Sequence, residues 1–297
     1  MKAPPSVAIV GPGAIGATLA SFLRRAGADV ALIGRRPGRV TVTGLAPTGK
    51  TLGARARVPA ACDFVFFCVK SADTGSAIRR ARRSVGPNST VVSLQNGLGH
   101  RAPLLRAFGR KRCVFGVCVI GAERTSYSTV KYHGGRGVAI ARLRANAGRA
   151  EQVARLLRKA GLEVTIDASE DRLLWMKAAF NAATNPLGAL TGAKNGELIR
   201  VPAMRELAFG ALREAVAAAR AAGQPLSYPD LSRRMAAGLS AMKDQSNSML
   251  QDLRTGRRTE LDAIVKPLLD AARRRRQPAP ILESLYRFTK RLERELA

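Results

Sequence analysis

The segment Leu174-Trp-Met-Lys-Ala-Ala-Phe-Asn-Ala-Ala-Thr-Asn-Pro186 places Lys177, Asn181 and Asn185 at i, i+4 and i+8. On an α-helix that spacing puts all three on one face of an otherwise apolar segment. A lysine in such surroundings is costly to bury without polar partners. An ammonium held over a substrate carbonyl can stabilise negative charge on the oxygen and donate a proton to it, while neighbouring amides fix the substrate in line. Competing readings exist at two of the three positions. Lys177 also fits a surface lysine whose stem lies along apolar neighbours. Asn185 fits equally well as the cap of a following helix with Pro186 at its first position.

A second chemical signal lies near the start. Gly11-Pro-Gly-Ala-Ile-Gly16 has the GxGxxG form directly after an apolar run and at the start of a helical pattern. In such a motif Gly11 permits the tight turn, Gly13 lets the backbone approach a pyrophosphate, and Gly16 lets the helix sit close to the strand. The helix N-terminus then offers N–H groups and a positive dipole end to phosphate. The next strand ends in Ile33-Gly-Arg-Arg36. An NAD-preferring site usually carries Asp or Glu here for the ribose 2′-hydroxyl, whereas arginine pairs with a 2′-phosphate. Arg35 therefore predicts NADP(H).

The elements that must position these groups follow from periodicity. Strands are predicted at Ser6–Val10, Asp29–Ile33, Asp63–Val69, Thr90–Leu94, Val114–Ile120, Thr129–Tyr132, Val138–Ala141 and Glu163–Ile166, with a helix at Ala14–Ala26 that turns Ile15, Leu19, Phe22 and Leu23 to one face. Alternating β and α implies a parallel sheet with helices on both faces. Beyond Ser169 the pattern becomes helical: Arg172–Thr184, Pro202–Ala222, Pro229–Leu253, Thr259–Arg276 and Ile281–Leu296, broken by the loop Gly223–Asp230. The predicted fold is α/β, an N-terminal Rossmann-type doubly wound sheet over 1–168 followed by an all-helical C-terminal domain over 169–297. The default place for a ligand in such an arrangement is the cleft between domains.

Composition narrows the class. A hydrophobic fraction of 46% excludes wholesale disorder. Met1–Ser6 is too short and polar for a signal peptide, and the longest apolar runs fall far below a bilayer span, so a cytoplasmic protein without a membrane partner is expected. Cys62, Cys68, Cys113 and Cys118 form no CxxC pair, and with only His100 and His133 beside them they predict buried, reduced thiols and no metal site. The net charge of +29 attracts polyanions in general. It is mostly arginine spread from Arg24 to Arg294 among alanine tracts, as GC-rich codon usage produces. Only Arg273–Arg276 is a dense run, read as the solvated end of a helix before Pro278. Specific nucleic-acid binding is therefore not expected, while an anionic cofactor and substrate are favoured.

Together, Gly11–Gly16, Val69-Lys70, Gln95-Asn-Gly97, the Lys177–Asn181–Asn185-Pro186 helix, Asn195-Gly-Glu-Leu198, Ser248-Met-Leu-Gln-Asp252 and Thr259-Glu-Leu-Asp262 resemble the ketopantoate reductase (2-dehydropantoate 2-reductase) family, in its order and over nearly the whole chain. The resemblance implies NADPH-dependent reduction of 2-dehydropantoate, a small anionic oxoacid, to (R)-pantoate on the way to pantothenate and coenzyme A. It implies a catalytic Lys177 and substrate binding by Asn181, Asn185, Asn195 and Ser248. It also implies that Gly11, Pro12, Gly13, Ala14, Ile15, Gly16, Arg35, Lys70, Asn96, Ala122 and Glu260 contact the cofactor or order the site. The stretch around Gly121 and the run Asp244-Gln-Ser-Asn247 depart from the family's usual residues. Three other readings compete: a paralogous reductase of another small 2-oxo acid, a non-catalytic NADP(H)-binding protein, and a nucleic-acid-binding protein. The apolar C-terminal helices suit either a homodimer face or packing within the domain.

Overall fold

The computed structural model describes residues 3–44, 51–55 and 59–296. The chain divides into two compact units, Met1–Gln95 with Gly99–Leu173, and Asn96–Leu98 with Leu174–Ala297.

In the first unit, β1 (Ser6–Val10) leads through the glycine turn into α1 (Ala14–Arg25), followed by β2 (Asp29–Ile33), β3 (Gly38–Gly44), β4 (Thr51–Arg55) and β5 (Phe64–Phe67). Next come α2 (Thr74–Ala81), β6 (Thr90–Ser93), α3 (Arg101–Phe108), the long hairpin β7 (Cys113–Arg124) and β8 (Thr129–Ala141), α4 (Ala147–Lys159), β9 (Glu163–Asp167) and the start of α5 (Glu170–Thr191). The sheet runs β3-β4-β2-β1-β5-β6-β7-β8-β9. Strands β2, β1, β5, β6 and β7 are parallel neighbours, and β7 and β8 are antiparallel.

The alternation of side chains explains the two layers. Phe64 and Phe66 join the cluster built with α1 and α4, while Phe67 turns the other way and meets Phe108 of α3 with ring centroids 5.9 Å apart. Helices therefore cover both faces, as the βα alternation predicts. One expectation needs correcting. The sequence suggests a one-faced α1, yet Gly16 through Leu23 are all buried. The reason is that β3 pairs not only with β4 but also with the Thr129–Tyr132 half of β8, so the sheet closes around the helix. Strands β3 and β4 themselves were not legible as strands.

The second unit contains the rest of α5 with α6 (Glu197–Arg200), α7 (Pro202–Ala221), α8 (Tyr228–Ala241), α9 (Ser248–Arg254), α10 (Leu261–Ile264), α11 (Lys266–Arg274) and α12 (Pro280–Glu295). Its core is rich in alanine, with Ala179, Ala182 and Ala183 of α5 and Ala208, Ala211, Ala215 and Ala219 of α7 all fully buried, which lets helix backbones approach closely. Two predicted long helices are each broken in two. Pro229–Leu253 is interrupted after Ala241, and Thr259–Arg276 becomes α10 and α11 with Pro267 in the first turn of the latter. The predicted end of the first helix at Thr184 is also overturned: α5 continues through Pro186 to Thr191. No helix among the described residues is long and apolar enough to cross a membrane.

Candidate functional site

The glycine turn of the first unit is shaped by sterics on two sides and left open on the third. Gly11 has φ +111°, and a Cβ there would stand 2.7 Å from the Cys68 carbonyl oxygen. A Cβ on Gly16 would stand 2.0 Å from the carbonyl oxygen of Gly11, so helix and turn touch backbone to backbone. Around a Cβ on Gly13 there is nothing within 4 Å. Gly13 caps α1, no acidic residue occupies the helix's first turn, and the first amides face out of the helix. This is a backbone cradle fit for a pyrophosphate, formed where Gly11 N donates to Ile33 O at 2.9 Å and so joins the turn to the end of β2. Pro12, Ala14 and Ile15 of the turn are half-buried, and Arg35 is exposed two residues past β2.

Beyond β5, half-buried Lys70 precedes the 3₁₀ turn Ser71–Asp73. A buried polar network fixes this stretch. Gln95 Nε2 donates to Val69 O at 3.0 Å and to Thr74 Oγ1 at 2.8 Å, and Ser93 Oγ lies 3.1 Å from Gln95 Oε1 and 3.0 Å from His100 Nδ1. Ala122 is half-buried on β7, opposite Tyr132 and next to a register shift at Gly121. Burial pushes the Cys68 thiol far above its ordinary value, reinforced by the nearby Cys118, and pushes Cys113 up to about 12. All four cysteines are free; Cys62 and Cys113 are buried as expected, while Cys68 and Cys118 are only half-buried.

In the second unit α5 presents the polar face that the spacing predicts. Lys177 is half-buried with Nζ 5.4 Å from the Phe180 ring centroid, a cation–π distance. Asn181 and Asn185 are buried, at 5% and 4% exposure, so their amides need partners. Asn181 Nδ2 donates to Asn96 Oδ1 at 3.3 Å, and Asn96 Nδ2 donates to Glu260 Oε2 at 3.3 Å. The chain of contacts Asn181–Asn96–Glu260 thus brings two residues read as cofactor contacts beside one read as substrate-binding. Asn96 reaches this unit because Gly97, at φ +76°, packs on α10: its Cβ would stand 2.4 Å from Ala263 O, and Leu98 N donates to that oxygen at 3.1 Å.

Asn185 does not cap a new helix. It lies inside α5, where its Oδ1 accepts from Thr184 Oγ1 at 3.3 Å, and Pro186 is an interior helix residue. Asn195 is buried and pinned to the turn after α8, with N donating to Gln245 O at 2.9 Å and Nδ2 donating to Met242 O at 3.2 Å. Ser248 is exposed at the first position of α9. The neighbouring Asn247, not singled out as a site residue from sequence, does the fastening. Its Oδ1 accepts from Met249 N and Leu250 N at 3.1 and 3.0 Å, and its Nδ2 donates to Thr184 O at 3.4 Å. An asparagine just before Ser-Met-Leu-Gln is an N-cap signal, so this role was readable in the sequence.

Residues 7–145 match the family model described as Ketopantoate reductase PanE/ApbA, and residues 171–293 match Ketopantoate reductase PanE/ApbA C terminal. The chain belongs to the ketopantoate reductase family. It is similar to a 2-dehydropantoate 2-reductase of Halobacterium salinarum, with 32% identity over 97% of this chain and 99% of that one. Its structure is similar to a PanE/ApbA family ketopantoate reductase from Ralstonia eutropha, with a TM-score of 0.85 and 27% identity over 98% of this chain and 99% of that one. A D-mandelate dehydrogenase in a ternary structure with NADH and anilino(oxo)acetate shares the fold, with a TM-score of 0.87 and 19% identity over 98% and 99% of the two chains. As a ketopantoate reductase family member the chain is an oxidoreductase.

Proposed function

We propose that the chain reduces 2-dehydropantoate to (R)-pantoate using NADPH, with Lys177 as the general acid, in the cytoplasmic route to pantothenate and coenzyme A. The observation that carries this reading is the face of α5, where half-buried Lys177 precedes buried Asn181 and Asn181 is tied through Asn96 to Glu260. A 2-oxo acid presents a ketone oxygen and a carboxylate, and these are the groups that an ammonium and a row of amides recognise. The names of the family's relatives support 2-dehydropantoate as the particular acid.

The division of labour follows from residue type. The amides at Gly13, Ala14, Ile15 and Gly16 receive the pyrophosphate, with Gly11 and Pro12 shaping the turn, and Arg35 pairs with the 2′-phosphate. Lys70 and Ala122 border the same cofactor. When bound, the reduced nicotinamide supplies the hydride that reaches the ketone carbon. Lys177 Nζ stabilises the negative charge that builds on the ketone oxygen and then transfers a proton to it, which completes the alcohol. Asn181, Asn185, Asn195 and Ser248 hold the substrate's carboxylate and hydroxyl in line. Glu260, through Asn96, orients the amide of Asn181 and keeps negative charge near the ammonium.

The test is a steady-state assay over a panel of small 2-oxo acids with both nicotinamide cofactors. The expected result is a highest kcat/KM for 2-dehydropantoate, with NADPH used better than NADH. A better 2-oxo acid would reassign the substrate, equal or better use of NADH would refute the role of Arg35, and cofactor binding without turnover on any acid would end the enzyme reading.

A further inference from the structure

The tip of the β7–β8 hairpin reaches the glycine turn. Arg124 Nη1 donates to Pro12 O at 3.0 Å, and its Nε donates to Ser126 O at 3.2 Å. The remaining amino group donates to Tyr127 O, and the guanidinium lies 5.3 Å from the centroid of the Tyr127 ring. The same tip is fixed to the strand that follows Arg35. Thr41 N donates to Ser128 O at 2.7 Å, Thr41 pairs with Thr129, and Tyr127 Cε1 lies 3.9 Å from where a Cβ on Gly38 would stand. The Arg35–Pro37 segment therefore leaves the sheet beside the glycine turn, at the Gly11–Ile33 bond, and rejoins it beside Tyr127. Both ends of the arginine-bearing segment border groups that Arg124 touches.

We propose that Arg124 is a specificity-determining residue, its guanidinium joining Arg35 in facing the 2′-phosphate of NADPH. The inference rests on the NADPH reading above. A guanidinium is charged at every working pH, and its planar fork suits both carbonyl oxygens and phosphate. Anchoring on three carbonyls and stacking beside Tyr127 fix where that charge stands, so little side-chain entropy is lost when a phosphate arrives.

A purely mechanical role for Arg124, bracing Pro12, predicts equal weakening of every ligand of the turn. A charge-reading role predicts weakening only where the 2′-phosphate is present. The discriminating experiment is calorimetric titration of wild type, Arg124→Gln and Arg124→Lys with adenosine 2′,5′-bisphosphate and with AMP. In Arg124→Gln the bisphosphate should bind about tenfold more weakly or worse, the scale of one lost charge-assisted contact, with AMP changed less than about threefold. Arg124→Lys should retain part of the preference because it keeps the charge. Equal losses for the two ligands in Arg124→Gln would overturn the inference, as would complete loss of discrimination in Arg124→Lys should the glutamine variant not fold. Failure of wild type to prefer the bisphosphate over AMP would instead sink the NADPH reading, and this inference with it.

Discussion

Asn247 both starts α9 and ties it to α5 through Thr184 O, so one amide links the exposed Ser248 to the helix that carries Lys177. Asn247→Ala removes a cap and a buried hydrogen bond, a loss of about 2 kcal/mol. Thermal denaturation should show Tm lower by roughly 3 °C, and an unchanged Tm would contradict the assignment. Gly188 makes the same contact testable from the other side. A Cβ there would stand 2.2 Å from Asn247 Nδ2, so Gly188→Ala should displace the amide and also lower Tm. Asn96 is the other residue on which much turns, because it accepts from Asn181 and donates to Glu260. Asn96→Ala leaves a buried amide and a carboxylate each short of a partner, and kcat/KM for the oxoacid should fall about tenfold, for a loss near 1.4 kcal/mol. Unaltered kcat/KM would show that the Asn181–Asn96–Glu260 chain is structural only.

Glu260 precedes α10, and a cluster of charged groups fixes that helix to α12. Thr259 N and Oγ1 donate to Glu293 Oε1 at 2.9 and 2.6 Å, while Lys290 Nζ reaches Asp262 Oδ2 at 2.8 Å and Glu293 Oε2 at 3.1 Å. Burial pushes the Glu293 carboxyl up, but the bonds from Thr259 and Lys290 outweigh it and leave the pKa below the usual 4.5. Asp262 is lowered in the same way, burial being outweighed by Lys290 and Tyr286. A carboxyl lowered by folding stabilises the folded state above its unfolded pKa, and that contribution is lost as pH falls through the folded value. Tm should therefore drop as pH falls below about 4.5, and Glu293→Gln should flatten that drop. Parallel pH profiles for the two proteins would refute it. At this scale the sequence was legible where periodicity is long and uninterrupted. The strands Ser6–Val10 and Asp29–Ile33 have the predicted bounds, and the Lys177–Asn181–Asn185 face exists as read. The length of α5 is not legible in the sequence because Asn-Pro is as good a helix start as it is a tolerated interior pair. The breaks near Asn247 and Pro267 did carry local signals, in a cap residue and a proline, that apolar periodicity overran. The docking of Gly97 on Ala263 O had none, since it joins residues 166 apart in sequence through backbone contacts.

For the whole molecule the +29 charge is the widest-reaching property. Arg273–Arg276 is exposed across the C-terminal end of α11, and Arg273 pairs with Asp270 and Glu283, so the dense run is a solvated helix end, as its sequence suggests. Retention on DNA should accordingly be independent of sequence and be lost by physiological salt, whereas a tight complex persisting there would revive the nucleic-acid reading. The glycine turn lies in one compact unit and Lys177 in the other. The most direct test is kcat of Lys177→Ala with 2-dehydropantoate and NADPH, measured alongside its NADPH affinity. The expected result is a kcat lower by roughly 10²-fold or more, the usual weight of a general acid, with NADPH affinity little changed. A near-normal kcat in that variant would contradict it.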